Sequence, residues 1–94
     1  MRINKYGDKE WIKDGTDDKL HRTDGPASEL SDGTKSWWVN GKRHRADGLP
    51  AIEWASGTKV WFVDGKVHRD GGFPAIEWAD GTKEWYVNGA LYKI

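Results

Sequence analysis

The sequence contains no cysteine, one methionine, three prolines and no long apolar run. Without cysteine there can be no disulfide bond, and no catalytic or metal-binding thiol. A membrane-spanning helix needs about 20 consecutive apolar residues, and no segment approaches that length. The opening residues, MRINKYGDKEW, also lack the apolar stretch of a signal peptide. We therefore expect a cytoplasmic protein without a transmembrane segment.

The sequence also has no excess of either charge. Lysine and arginine together number 15, as do aspartate and glutamate, so the formal net charge is zero. A protein that binds nucleic acid without sequence preference carries an excess of basic residues to neutralise phosphates. Nucleic-acid binding of that kind is therefore not expected.

Apolar residues are scarce, at 36% against 32% charged residues, but seven of the 94 residues are tryptophan. Each tryptophan can bury about 150–250 Å² of surface. We therefore expect tryptophan to form the core of a single small domain that spans residues 1–94.

An internal repeat organises the chain. Three near-complete copies follow roughly the pattern P-A-x-E-[LW]-[AS]-x-G-T-K-x-W-x-V-[ND]-G-x-x-H-R-x-D-G, with a period of 24 residues. The prolines and tryptophans that mark the period are Pro26, Pro50 and Pro74, and Trp11, Trp37, Trp61 and Trp85. This spacing predicts a partial copy over residues 1–25 and copies over about 26–48, 50–72 and 74–94.

Each copy carries two strand signals, such as PAIEWA and TKVWFV, which are rich in β-branched and aromatic residues. Dipeptides of aspartate, asparagine or serine followed by glycine separate these runs and predict two-residue type I′ hairpin turns. The dipeptides are Asp32-Gly33, Asn40-Gly41, Ser56-Gly57, Asp64-Gly65, Asp80-Gly81 and Asn88-Gly89. No segment has helical periodicity. The sequence predicts an all-β fold, an antiparallel meander of stacked β-hairpin repeats.

A two-residue turn at Ser56-Gly57 would decide which side chains share a face, because it would place Ile52 opposite Trp61. One face would then hold Ile52, Trp54, Lys59, Trp61 and Val63, and the other Ala51, Glu53, Thr58, Val60 and Phe62. The tryptophans that recur once per copy would form a row, about 9–10 Å apart, that holds the sheet together. This tryptophan row consists of Trp11, Trp37, Trp61 and Trp85.

A histidine followed by arginine recurs in three copies, but the last copy has Tyr92 and Lys93 instead. Equivalent histidines two strands apart cannot share a metal ion, and tyrosine cannot replace histidine as a proton shuttle near neutral pH. We interpret the histidine as a ring packed on tryptophan, such as His68 on Trp61. The histidines are His21, His44 and His68.

The glutamate that recurs in each copy could suggest paired catalytic carboxylates. A catalytic pair needs two different environments, whereas Glu29, Glu53 and Glu77 occupy equivalent positions, so we expect them to pair with nearby cations. No nucleophile–base constellation or spaced metal ligands can be assembled. We expect no catalytic residue, no metal, no cofactor and no enzyme activity.

Positions that differ between copies are free to serve a ligand. One such position is always aromatic, and it lies near arginine, a composition typical of interface hot spots and of base-stacking platforms. The alternative is that a second packing layer covers this face. The loop of Thr16, Asp17 and Asp18 also varies. The predicted binding residues are Trp38, Phe62, Tyr86, Arg43, Arg22, Arg45 and Arg69.

The recurring DGTKxWxxNGxxHRxDGxPA resembles the MORN repeat (membrane occupation and recognition nexus), which pairs NGxxHG with a following DG. A closer likeness, from about Gly7 to Leu91, is to arrays of W-[YF]-x-N-G-K-x-H-R-x-D-G-P-A in uncharacterised phage and giant-virus proteins. MORN proteins are elongated antiparallel sheets of stacked hairpins that bind proteins and, in some cases, phospholipids. KSWWV and KVWFV lack the MORN glycine, and HR replaces HG. The resemblance leaves open a wide loop at NGKRHRADG instead of a tight turn.

The first function hypothesis is a non-enzymatic protein-binding module. The viral likeness implies a phage-encoded inhibitor that occupies a host protein, such as one of an immune system, in the host cytoplasm. The second hypothesis is binding of a nucleotide or short single-stranded nucleic acid through the aromatic–arginine face. Phospholipid binding follows from the MORN likeness alone. Because the strands near Arg2–Lys5 and Ala90–Ile94 have no covalent neighbour, we also expect a homodimer through one end.

Overall fold

The computed structural model describes residues 1–16 and 19–94, which form β-strands, turns and loops without a helix. Asp17 and Asp18, in the variable loop, lie outside the described residues. The all-β prediction is confirmed. The strands are β1 (Arg2–Ile3), β2 (Lys9–Glu10), β3 (Ser28–Glu29), β4 (Lys35–Ser36), β5 (Trp38–Val39), β6 (Lys42–Arg43), β7 (Ile52–Glu53), β8 (Lys59–Val60), β9 (Phe62–Val63), β10 (Lys66–Val67), β11 (Ile76–Glu77), β12 (Lys83–Val87) and β13 (Ala90–Lys93).

Nine of these strands form one antiparallel sheet, in the order β1-β2-β3-β4-β7-β8-β11-β12-β13. The pairs β5–β6 and β9–β10 are separate two-stranded hairpins. β5 follows β4 immediately after Trp37, and β9 follows β8 immediately after Trp61. The row tryptophan therefore marks the point where the chain leaves the sheet and enters a hairpin. The two end strands, β1 and β13, form the edges of the sheet, and association of two copies there stays a prediction.

Three turns have the predicted type I′ geometry. Asn40, Asp64 and Asn88 have φ of 51°, 50° and 49°, and the glycine that follows each has φ of 79°, 83° and 83°. Positive φ at both central residues defines a type I′ turn. The flanking residues pair directly, as Val39 does with Lys42. The segment NGKRHRADG is therefore a tight turn followed by a short strand, and not a wide loop.

The other glycine turns are one residue longer than predicted. The amide of Trp54 donates to the carbonyl of Thr58, and the amide of Gly57 donates to the carbonyl of Trp54, both at 2.9 Å. Such a three-residue loop combines a type I turn with a bulge at glycine. In the equivalent turn, hydrogen bonds from the backbone amide and the hydroxyl of Thr34 hold the pKa of Asp32 below its ordinary value.

The extra loop residue shifts the register of β7 and β8 by one. Ile52 pairs with Val60 rather than with Trp61, and Glu53 pairs with Lys59. A shift of one residue turns every side chain to the other face of a sheet, so the predicted division into two faces is wrong. Ile52 and Val60, predicted on opposite faces, are cross-strand partners and are both buried, while Trp54 and Val63 are exposed.

The core is small and depends on close backbone packing. The alanine of each P-A pair is completely buried, because it lies where the chain passes behind the row tryptophan of a neighbouring strand. The amide of Trp61, for example, donates to the carbonyl of Ala75 at 2.8 Å. The indole nitrogen of Trp61 donates to the carbonyl of Gly48 at 2.8 Å. The buried apolar residues are Ala27, Ala51, Ile52, Val60, Trp61 and Ala75.

Every tryptophan of the row has a cation over its ring. The distances from cation to ring centre are 3.9 Å for Arg22 over Trp11, 3.7 Å for Arg45 over Trp37, 4.0 Å for Arg69 over Trp61 and 4.8 Å for Lys93 over Trp85. The arginines also bind the recurring glutamate, as expected from the sequence. The Arg–Glu distances are 3.7 Å for Arg22–Glu29, 3.0 Å for Arg45–Glu53 and 3.2 Å for Arg69–Glu77.

The histidines connect each hairpin to the next. Nδ1 of His68 accepts a hydrogen bond from the amide of Asn88, at 3.0 Å. Its Nε2 lies 2.7 Å from Oδ1 of Asp70, which favours the tautomer with the proton on Nε2 and leaves Nδ1 free to accept. The amide of Gly89 donates to the carbonyl of Val67 at 2.8 Å. Equivalent Nδ1 acceptors are His21 for Asn40 and His44 for Asp64.

This role corrects the interpretation of the histidine as a ring packed on tryptophan. His68 does lie opposite Trp61, as the tight turn predicted, with its amide 3.0 Å from the Trp61 carbonyl. The group stacked on the indole, however, is the guanidinium of Arg69. Turn amides donate to His21, His44 and His68, whereas no turn amide among the described residues donates to Tyr92. Within the described structure, tyrosine at that position therefore deprives no turn amide of its acceptor.

The histidine contact predicts that His68→Tyr, which the sequence pattern alone would tolerate, destabilises the protein. Tyrosine has no acceptor at the position of Nδ1, so the amide of Asn88 loses its partner. We expect a loss of about 1 kcal/mol in the free energy of unfolding, measured by chemical unfolding. The matched variant Tyr92→His should stay within about 0.5 kcal/mol of the original protein. Equal stability of both variants would disprove the docking role.

The burial of the tryptophans predicts a second contrast. Trp61 is 6% exposed, whereas Trp54 is 44% exposed at a loop. Trp61→Ala should lower the free energy of unfolding by about 3–5 kcal/mol, and Trp54→Ala by less than about 1 kcal/mol. Unfolding curves followed by circular dichroism would measure both. Losses of similar size would show that the row does not form the core.

Candidate functional site

One face of the hairpins collects side chains from four cross-strand pairs. Directly paired residues of antiparallel strands point to the same face, and the tight turns place equivalent pairs in successive copies. We call these residues the hairpin face. Its pairs are Ile12–Leu20, Trp38–Arg43, Phe62–Val67 and Tyr86–Leu91.

The hairpin face is largely apolar and partly covered. Seven of its eight side chains have intermediate exposure, and Leu91 is 46% exposed. The face therefore differs both from the core, where alanine reaches 0% exposure, and from the charged outer surface. The chain covers it only in part, so the second packing layer that the sequence left open as an alternative is incomplete here.

Arg43 is the charged member of this face. Its guanidinium lies 4.8 Å from the ring centre of Trp38 and 5.5 Å from that of Phe62, and so bridges two copies. Its Nε is buried and has no hydrogen-bond partner among the described residues. Burial lowers the pKa of Arg43. A buried donor without a partner costs about 1–3 kcal/mol, so the hydrogen-bonding capacity of Arg43 is not fully used within the described residues.

Two aromatic rings of the face are anchored by their polar ends. The indole nitrogen of Trp38 donates to Oγ of Ser36 at 2.8 Å. The hydroxyl of Tyr86 donates to Oε1 of Glu84 at 3.2 Å. Burial, and then the hydrogen bond and charge of Glu84, raise the pKa of Tyr86. The rings are thus held in fixed positions by the residue two places before each.

The predicted binding residues divide into two groups. Trp38, Phe62 and Arg43 are in contact, and Tyr86 occupies the equivalent position in the last copy. The other three arginines lie over the tryptophan row and donate to proline carbonyls at 3.0–3.1 Å. Their guanidinium groups are therefore engaged inside the protein, apart from the hairpin face. These arginines are Arg22, Arg45 and Arg69.

The sequence prediction did not include Ile12 and Leu20 as members of this face. They pair with each other across the longer first loop, and Leu20 lines a concavity together with Trp38. The pairing of Trp11 with His21, whose amide donates to the Trp11 carbonyl at 2.9 Å, places them there. In the later copies, the residues of the face directly follow the row tryptophan and directly precede the histidine or the tyrosine that replaces it. The same rule applied to Trp11 and His21 would have identified Ile12 and Leu20.

Within residues 1–16 and 19–94, no group of three or more histidine, aspartate or glutamate side chains could hold a metal ion. The part of the chain that the structure describes also has no helix long and apolar enough to cross a membrane. No family model matches this sequence, and neither does a curated protein or a solved structure.

The geometry of the arginines predicts that the same substitution affects stability differently at two positions. Arg43→Leu removes a buried donor without a partner but also removes two ring contacts, so the free energy of unfolding should change by less than about 1 kcal/mol. Arg69→Leu leaves Glu77 and the Pro74 carbonyl unpaired, and should cost about 1–3 kcal/mol. Thermal and chemical unfolding would measure both. A larger loss at Arg43 would mean that this arginine is structural.

Proposed function

We propose that this chain is a non-enzymatic protein-binding module whose hairpin face docks on a partner protein. The observation that carries the proposal is Arg43, a cation that lies between the rings of Trp38 and Phe62 and whose buried Nε has no hydrogen-bond partner among the described residues. Tryptophan, tyrosine and arginine in a partly desolvated cluster are the residues that contribute most to protein–protein binding.

The cluster also defines the chemistry of the partner. Its apolar surroundings require a largely apolar patch, and Arg43 requires an acceptor, with a carboxylate giving the strongest hydrogen bond. The fixed rings of Trp38 and Tyr86 lose little conformational freedom on binding, which favours affinity. The partner we propose therefore presents an apolar surface with one acidic side chain near its centre.

The likeness to phage and giant-virus arrays supports a host protein as this partner. In that case the chain acts in the host cytoplasm as an inhibitor that occupies its target, such as a protein of an immune system. Inhibition of this type needs no catalytic group, since the bound chain blocks a surface that the target uses.

A nucleotide or single-stranded nucleic acid fits the same face less well. A phosphate-binding groove needs several cations along the backbone of the ligand, and three of the four predicted arginines are instead engaged by glutamate and tryptophan. A phospholipid headgroup likewise needs cationic side chains that are free to contact its phosphate. Arg43 alone remains at this face for either ligand.

The proposal can be tested by affinity capture with four immobilised full-length baits. These are the original protein, Arg43→Leu, Tyr86→Ala and, as a matched aromatic control on another surface, Trp54→Ala. Lysate from cells that express the gene is treated with nuclease before capture. We expect a partner protein that the original bait and Trp54→Ala retain equally, and whose affinity falls at least about tenfold with the other two variants.

Salt separates a protein partner from a phosphate ligand. Between about 50 and 200 mM salt, a ligand whose phosphates contact all four predicted arginines would lose affinity by roughly 50- to 150-fold, whereas an apolar interface changes little. A captured species that is released by salt, or that Arg43→Leu and Trp54→Ala retain equally, would contradict docking through the hairpin face. The circular dichroism of each bait must match that of the original protein.

A further inference from the structure

Two concavities repeat along the chain, each where an HRxDG loop faces the row tryptophan of the following copy. The first has a volume of about 730 Å³ and lies between residues 22–26 and Trp37. The second has a volume of about 430 Å³ and lies between residues 44–49 and Trp61. His44, Arg45, Ala46, Asp47 and Leu49 line both. The two concavities therefore share a wall and form one continuous groove, which we call the loop groove.

The loop groove has apolar side chains that are open to solvent. Leu49, Val63 and Phe73 line it and are 45%, 37% and 56% exposed. Leu49 and Phe73 are equivalent in successive copies, so the groove offers the same kind of apolar contact at regular intervals. It shares only Phe62 with the hairpin face, and this inference therefore goes beyond the proposed function.

The free charge of the loop groove is negative. The arginines that line it have side chains only 20–24% exposed, since each lies on a tryptophan and near a glutamate outside the groove. The aspartates of the same loops are more exposed, at 83% for Asp24 and 92% for Asp70, although each uses one oxygen inside the protein. Oδ1 of Asp24 lies 3.0 Å from Nε of Arg22, and Oδ1 of Asp70 lies 2.7 Å from Nε2 of His68. Asp47 is exposed as well. Each loop, together with the glutamate that pairs with its arginine, therefore carries one positive and two negative charges, and the exposed aspartate holds the excess negative charge.

Equivalent points of the groove are separated by two strand spacings, because β7 lies between β4 and β8 in the sheet. Two spacings amount to about 9–10 Å. A polyproline II helix advances about 9.3 Å per turn of three residues, and presents every third side chain on the same side. An extended β-strand reaches a similar distance in three residues, but its side chains alternate between opposite sides. The period of the groove therefore matches polyproline II.

We propose that the loop groove binds a proline-rich peptide in the polyproline II conformation, with lysine or arginine at every third position. Two cationic side chains would lie against Asp24 and Asp47, which occupy equivalent positions in their loops, and the prolines against Leu49, Phe73 and the tryptophans. A third cationic side chain would approach Asp70, which lies one residue earlier in its loop. Grooves lined by aromatic residues are a recurring way to bind such peptides, because the ligand is already extended before binding.

The test is a titration of the full-length protein with fluorescent peptides about twelve residues long, followed by fluorescence anisotropy. The probe consists of Lys-Pro-Pro triplets. A charge control replaces lysine with glutamate, and a spacing control consists of Lys-Pro pairs, which carry more lysines in the same length. We expect saturable binding of the triplet peptide, weaker binding of the Lys-Pro peptide despite its higher charge, and no binding of the glutamate peptide.

Variants of the protein locate the binding site. Asp47→Asn combined with Asp70→Asn removes two charges without changing shape, and asparagine tolerates the positive φ of Asp47, 66°. This double variant should weaken binding by roughly three- to tenfold. Asp80→Asn, in the loop at the other end of β11, should leave binding unchanged. Phe73→Ala should weaken it, whereas Arg43→Leu should not, so the result is independent of the hairpin face.

Several results would overturn the proposal. Tighter binding of the Lys-Pro peptide would show simple charge attraction without the predicted spacing. If Asp80→Asn weakened peptide binding as much as the double variant does, the aspartates of the groove would not be the binding site for the lysines. Absence of triplet binding in a correctly folded protein would also refute the proposal. The proposal would also be refuted if the groove variants left peptide binding unchanged and altered the binding of a labelled oligonucleotide. The same holds if they altered only the self-association of the chain, measured by light scattering.

Discussion

The two amides at the centre of each type I′ turn point away from their own hairpin and need external acceptors, since an unpartnered backbone amide is costly. The preceding copy supplies both acceptors, a histidine Nδ1 and the carbonyl of the residue before it. Asn88 and Gly89, for example, donate to His68 and Val67. Each hairpin is therefore docked on its predecessor. This requirement orders the hairpins, and with them the hairpin face and the loop groove.

A chain with so few apolar residues builds its core from side chains that are only partly apolar. Tryptophan supplies the area, and the arginine or lysine stacked on it covers the ring while keeping its charge paired with glutamate or hydrated. Lys93 over Trp85 shows that the requirement is for a cation rather than for a guanidinium. The contact explains why high charge and a high tryptophan content occur together in this sequence.

The same regularity produces two surfaces of different character. The hairpin face changes from copy to copy, with Trp38, Phe62 and Tyr86 at one position, and thus suits an irregular protein surface. The loop groove keeps a histidine, an arginine, an aspartate and a row tryptophan at each step, and suits a ligand with a repeat of its own. Both surfaces are by-products of one docking scheme, because the tight turn directs alternate side chains to the hairpin face and the HRxDG loop to the groove.

The sequence alone was sufficient for the all-β class, the type I′ turns at Asn40, Asp64 and Asn88, and the pairing of glutamate with cations, because these depend on local φ preferences and on spacing. It did not determine the register of β7 and β8, since Ser56-Gly57 is compatible with a two- or a three-residue loop, and one residue reverses every side chain. It also could not show that His68 binds a turn 20 residues later, or that Nε of Arg43 is buried without a hydrogen-bond partner among the described residues. Such contacts join residues distant in sequence, and only the packing of one copy on the next brings them together.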